Sequence, residues 1–225
     1  MKRLLTITAA MLAVVMASLP AQAALKPFNA EYSVRYQGVP ANAQASLTRT
    51  GDNWTYVMTI GNVAASMHQA TYFRERNGVY LPLGGSDRLQ YVGQRRSITT
   101  RYDWRNLQVR WTGDAKPSRT GPTPLQAGDV DALLLQLALV RDHENGRAMQ
   151  YRVTENARTR PATFRRAGTE QITVGSRTVN AVRYVQTGEG KTTTAWIATG
   201  IPVPVRLSQQ ENGRETVRLN MTGWR

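Results

Sequence analysis

Residues 28–36 read FNAEYSVRY. Phe28, Ala30, Tyr32, Val34 and Tyr36 alternate with Asn29, Glu31, Ser33 and Arg35. Successive side chains of a strand point to opposite faces, so this stretch predicts a strand with one apolar and one polar face. Working outward, Trp54, Tyr56, Met58 and Ile60 repeat the period after a Gly51-Asp52 turn. Asn77-Gly78 marks a hairpin between Tyr72–Arg76 and Val79–Leu83, because both central residues of a tight hairpin turn need positive φ. Ile98, Thr100 and Tyr102 run into a turn at Asp103–Asn106, and Leu107, Val109 and Trp111 leave it. Gly84-Gly85-Ser86-Asp87 reads as a turn by composition.

The second half of the chain continues the pattern. Met149–Thr154, Ala162–Arg166, Ile172–Val174, Val179–Val185, Thr192–Ala198, Val203–Gln210 and Glu215–Met221 read as strands. Gly175-Ser176, Thr199–Pro202 and Asn212-Gly213 separate them. Pro204 cannot donate to a ladder, which places it at an edge or a strand start.

One segment departs from this period. After a Pro/Gly-rich link, Lys116–Pro124, the residues Ala132 to Val140 are apolar except for Gln136. Asp129 reads as the N-cap of a helix, Asp131 as a negative charge in its first turn, and Asn145-Gly146 as its stop. A helix apolar on nearly every side is a buried one. The expected fold is therefore mainly β, an antiparallel meander forming a curved sheet, half-barrel or barrel, with one buried or plugging helix near residues 129–142. Residues 24–225 are expected to form a single domain.

The N-terminus predicts the compartment. Lys2 and Arg3 precede a short apolar run, Leu4–Leu19, followed by Pro20 and Ala21-Gln22-Ala23. This is the layout of a secretory signal peptide, residues 1–23, cleaved after Ala23. The run is short for a bilayer span, and no second run of spanning length follows. The mature chain is expected in the periplasm, with no transmembrane segment.

Composition narrows the chemistry. There is no cysteine among the 225 residues, which excludes disulfides, thiol catalysis, thiolate metal sites and a cysteine-linked lipid anchor. The formal charge of +14 falls to +12 when Lys2 and Arg3 leave. After the leader, only Lys26, Lys116 and Lys191 are lysines; the other cations are arginines, whose forks pair bidentately with phosphate and carboxylate. Anionic lipid headgroups, lipopolysaccharide phosphates, acidic glycans and acidic proteins are the expected partners. Nucleic acid is not expected in this compartment. His68 and His143 lack metal-ligand spacing, and no nucleophile elbow, phosphate loop or dinucleotide fingerprint occurs. Asn53-Trp54-Thr55 and Asn220-Met221-Thr222 match a glycosylation acceptor by accident. No metal, no cofactor and no enzymatic activity are expected.

Aromatic and basic residues supply the candidate site. Trp54, Tyr56, Trp104, Trp111, Tyr184 and Trp196 fall in or beside strands. They would be ordinary core, or would line a cavity if the sheet closes incompletely. Arg95, Arg96, Arg101, Arg105 and Arg110 interleave with Tyr102, Trp104 and Trp111, a mix suited to a headgroup phosphate beside an apolar tail, or to the wet face of an amphipathic hairpin. The candidate ligand-binding residues are Trp54, Tyr56, Arg101, Trp104, Arg105, Arg110, Trp111 and Trp196.

Several spaced motifs occur in order. Pro27-Phe28, Ala30, Tyr32, Val34, Tyr36 and Gly38 open the mature chain, and Gly128-Asp129-x-Asp131-Ala132-Leu133-Leu134-Leu135-Gln136-Leu137 marks the helix. Gly168-x-Glu170 and Gly175-x-x-Thr178 precede Trp196-Ile197-Ala198 and Pro204-Val205-Arg206-Leu207. Together these resemble the bacterial envelope family known as domain of unknown function 3108, over nearly all of the mature chain. Members often carry a serine where this chain has Ala132, and a tyrosine where it has Leu135. The resemblance implies an exported β-rich protein without established enzymatic activity and supplies no catalytic residues. It also implies a looser likeness in fold to periplasmic lipoprotein carriers and sigma-factor regulators, which curve an antiparallel sheet around a helical plug. The expected function is a periplasmic, non-enzymatic binding or carrier protein for a lipidic or anionic amphiphilic envelope component. In that reading the concave sheet takes the apolar part and rim arginines the anionic part. The alternative is an envelope interaction or sensing module that binds a protein or an acidic glycan.

Overall fold

The structure is a computed structural model that describes residues 25–155 and 157–225; the expected leader and its cleavage site lie outside them. The first half contributes β1 (Phe28–Tyr36), β2 (Val39–Thr50), β3 (Asn53–Gly61), β4 (Ala65–Arg76), β5 (Val79–Tyr91), β6 (Gln94–Asp103) and β7 (Gln108–Gly113). The short strands β8 (Thr123–Pro124) and β9 (Asp129–Val130) precede the helix α1 (Ala132–Glu144). The second half adds β10 (Gln150–Glu155), β11 (Arg158–Thr163), β12 (Arg165–Val174), β13 (Arg177–Gly188), β14 (Lys191–Ile197), β15 (Arg206–Glu211) and β16 (Arg214–Trp224).

Thirteen strands form one antiparallel sheet in the order β12-β13-β14-β15-β16-β1-β2-β3-β4-β5-β6-β7-β8. The two halves are meanders joined where β1 pairs with β16, Val34 opposite Leu219. The sheet does not close, so it is a curved sheet rather than a barrel. β9, β10 and β11 make a separate small sheet, β10 running parallel to β9 and antiparallel to β11.

The alternation read from the sequence is the reason for this architecture. In β1, Phe28, Ala30, Tyr32 and Val34 are buried while the residues between them are exposed. These inner faces meet α1, whose Leu133, Leu134, Leu137, Ala138, Leu139 and Val140 all join the same core. The helix is apolar around most of its circumference because the large sheet covers one side and the small sheet packs on another. A second, smaller core gathers Ile98, Tyr102, Val109, Trp111 and Leu125 beneath β6 and β7. The Asn212-Gly213 turn has φ of 50° and 77°, the left-handed pair that a tight hairpin demands.

Four local readings are corrected. Asp131, not Asp129, caps α1: its carboxylate accepts from the Leu134 amide at 2.8 Å. Asp129 is drawn into β9, fully buried, where Arg152 donates to it at 2.7 Å. Gly84–Asp87 is no turn but the middle of β5. A bulge at Leu83 sets Pro82 opposite Phe73 and Gly84 opposite Tyr72, which moves the inward face from Tyr80 and Pro82 to Gly85 and Asp87. A Cβ on Gly85 would lie 2.9 Å from the Ala70 carbonyl, and one on Gly84 3.2 Å from that of Thr100; the glycines let neighbouring strands close in. Finally, Ala162–Arg166 is not one strand. It breaks at Phe164, whose amide bonds the Met149 carbonyl and whose ring fills the core between β11 and β12. Pro204 precedes β15, and its carbonyl accepts the Tyr32 hydroxyl at 3.0 Å.

Candidate functional site

The β5 bulge and the N-terminus of α1 together leave a cavity of about 230 Å³ between the helix and the concave face of β4–β7. Strand register lays out its wall in rungs. The innermost rung is Thr71, Gly85, Thr100 and Trp111; the next is Gln69, Asp87 and Ile98; the outermost is Met67, Leu89 and Arg96. Asp131, Ala132 and Leu133 of the helix start also line it, with Tyr102, Thr154 and Glu155.

Asp131 is the central group. One carboxylate oxygen caps the helix, and the other accepts the Thr71 hydroxyl at 2.6 Å. The residue keeps some surface toward the cavity, yet protein encloses its carboxyl. Burial pushes it up to about 6, with Asp87 adding to the rise and the Leu134 amide and Thr71 hydroxyl opposing it. Asp87 is also raised, first by burial, against the pull of a 2.8 Å hydrogen bond from Gln69 and the charge of Arg96. Tyr102 is only 6% exposed, and its hydroxyl is buried with no hydrogen-bond partner. Burial raises it well above the ordinary tyrosine range, and Asp131 and Asp87 push the same way. A buried hydroxyl with no protein partner, on a residue that lines the same cavity as Asp131 and Asp87, is a hydrogen-bonding capacity that the protein itself does not use.

The residues singled out in the sequence do not form one site. Trp111 lines the cavity. Trp104 lies beyond it, half-buried, its indole donating to the Pro82 carbonyl at 2.6 Å. Arg101 and Arg110 face each other across β6 and β7, exposed on the outer face, and Arg105 is exposed in the connecting turn. Trp54, Tyr56 and Trp196 are buried in the main core. Arg49 stacks on Trp54 and Arg206 on Trp196, each 5.3 Å from the ring centre, and the Tyr56 hydroxyl donates to Gln136 of α1 at 3.0 Å. The helix occupies the hollow that these aromatics would otherwise line. The sequence reading missed Gln69, Thr71 and Asp87. The signal for them was the Gly84-Gly85 pair inside an otherwise alternating run, which marks a bulge and a close approach as readily as a turn.

A family model described as a protein of unknown function (DUF3108) matches residues 31–220. The chain belongs to this family. The match runs from β1 through β16, so the DUF3108 unit contains the helix, both sheets and the cavity. No curated protein matches the sequence. Among the described residues, no helix is long and apolar enough to cross a membrane.

Proposed function

We propose that this DUF3108 protein is an exported, non-enzymatic binding protein of the periplasm that holds the polar head of an anionic amphiphile. The observation that carries the reading is the Tyr102 hydroxyl, buried and unpaired in the cavity beside Asp131 and Asp87. Hydroxyl or amine donors of a headgroup would bond the two carboxyls, and a headgroup acceptor would accept a hydrogen bond from the Tyr102 hydroxyl. Arg96 is the cation on the inward rungs of the lining. It would meet the anionic group, with Met67 and Leu89 beside the first methylenes.

Size separates head from tail. Pockets for drug-sized ligands measure roughly 300–1,000 Å³, and this cavity has about 230 Å³. It suits a headgroup with a short stretch of chain. The tail is left outside, a reversal of the expected arrangement that follows from α1 filling the concave face.

Mass spectrometry of molecules that co-purify with the protein from the envelope tests this. The expected result is a phosphate- or carboxylate-bearing amphiphile that is lost in Tyr102→Phe and Arg96→Gln variants. Recovery of neutral lipid only, or the same ligand with both variants, would contradict it. The raised carboxyl of Asp131 near Asp87 favours a second reading, acid–base hydrolysis of the ligand. Product accumulating in stoichiometric excess over protein would select that reading.

A further inference from the structure

Alternate hairpins of an antiparallel meander turn at the same end of the sheet. At one end, the turns β1–β2, β3–β4 and β5–β6 are neighbours. The Asn62 amide donates to the Pro40 carbonyl at 3.2 Å, tying the first to the second, and Ala65 pairs with Tyr91, tying the second to the third. Eight large hydrophobic residues are exposed among those described, and five of them belong to these three tips. Val63 is fully exposed, Val92 is 84% exposed, and Tyr36, Val39 and Tyr91 are each about half exposed. Isolated exposed apolar residues are ordinary, but a row of them on adjoining tips is not.

The charges around the row that lack an ion pair are cationic. Arg35, Arg88, Arg95 and Arg96 flank the tips, all exposed, and none takes part in the ion pairs of the described residues. Among the described residues, the carboxylates near these tips are engaged: Asp114 accepts from the Ser97 amide at 2.7 Å, Glu215 of the adjoining β16 pairs with Arg218 at 2.6 Å, and Asp87 lies inside the cavity. The opposite end also exposes Val79 and Leu107, but carries Asp52, Glu75 and Asp103 among its cations.

Apolar tips ringed by unpaired arginines complement a surface that is anionic in its headgroups and apolar just beneath. We propose that this end of the sheet docks on an anionic bilayer. Val63, Val92 and Tyr91 enter the interface, and Arg35, Arg88, Arg95 and Arg96 meet the lipid phosphates. This docking does not depend on the cavity being a ligand site, although the outermost rung of the cavity, Met67, Leu89 and Arg96, lies next to the same tips.

Flotation of the purified protein with phosphatidylcholine vesicles, with and without phosphatidylglycerol, tests the proposal. Binding is expected only to the anionic vesicles, and Val63→Asp combined with Val92→Asp should weaken it at least tenfold. Arg35→Glu with Arg95→Glu should weaken it similarly and flatten its salt dependence. Leu107→Asp at the far end should leave it unchanged; all variants are surface changes, checked by thermal melting. Anionic-vesicle binding that survives the Val63/Val92 change would overturn the proposal. So would a soluble dimer that the same change dissolves without any vesicle binding, which would assign the tips to self-association.

Discussion

Tyr102 carries most of the functional argument, and a single oxygen tests it. Its hydroxyl is buried without a partner, a condition that costs the empty protein stability. Tyr102→Phe removes the oxygen and keeps the ring in the second core. We expect the melting temperature to rise, corresponding to about 1 kcal/mol, while affinity for an anionic amphiphile falls about tenfold. A merely structural tyrosine would not separate the two effects. Asp131 offers a second test through pH. Its carboxyl is raised from 3.8 to about 6 in the folded chain, so the folded state favours the protonated form. The cost of the buried charge is complete above pH 6 and disappears as pH falls toward 4. Asp131→Asn keeps an oxygen for the Leu134 amide and discards the charge. It should stabilise the protein above pH 6 by at most about 3 kcal/mol, less the screening that Asp131's partial exposure allows, and confer no advantage near pH 4. A difference between the two proteins that stays constant from pH 4 to 8, read by denaturant unfolding, would contradict the assignment.

Individual elements show which sequence signals reach the structure. Asn212-Gly213 was legible because the turn needs positive φ at both central residues, and both have it. Replacing the pair by Val-Val should cost roughly 1–2 kcal/mol per residue and lower the melting temperature clearly; an unchanged midpoint would refute the turn's role in setting the β15–β16 register. The helix was legible from its apolar run and its Asn145 stop. Its cap was misread because Asp129 and Asp131 are two residues apart and either could cap. A long-range partner, Arg152 on β10, decides between them, and no local pattern contains it. β5 was the costliest misreading. A bulge shifts the inward face by one residue, so Asp87, polar and two residues after a glycine pair, resembled turn composition while lining the concave face. Gly85→Val should destabilise the protein by about 1–3 kcal/mol, since its side chain would collide with the Ala70 carbonyl. Were Gly84–Asp87 a surface turn, that change would be tolerated.

At the scale of the molecule, period-two alternation and turn chemistry were enough for the curved sheet, because burial of one face per strand leaves few other arrangements. The pairing of β1 with β16 and the small sheet over α1 were not legible, since both join segments distant in sequence. For the site, the sequence pointed to aromatics and arginines, but helix packing turned Trp54, Tyr56 and Trp196 into core and left a small cavity of mixed polar and apolar lining between α1 and β4–β7. The arginine-rich charge of +14 for the full sequence would attract any polyanion, and salt would weaken that attraction. Headgroup capture makes a narrower demand. The most direct measurement is the affinity of the purified protein for n-alkyl phosphates and n-alkyl maltosides of matched chain lengths, followed across ionic strength. Phosphates should bind at least tenfold tighter than maltosides at moderate salt. Affinity should climb by about 0.8 kcal/mol per methylene for the first few carbons and then level off, and Tyr102→Phe should reduce it. Equal affinity for both series, or phosphate binding that vanishes with salt and ignores both chain length and Tyr102, would contradict the account.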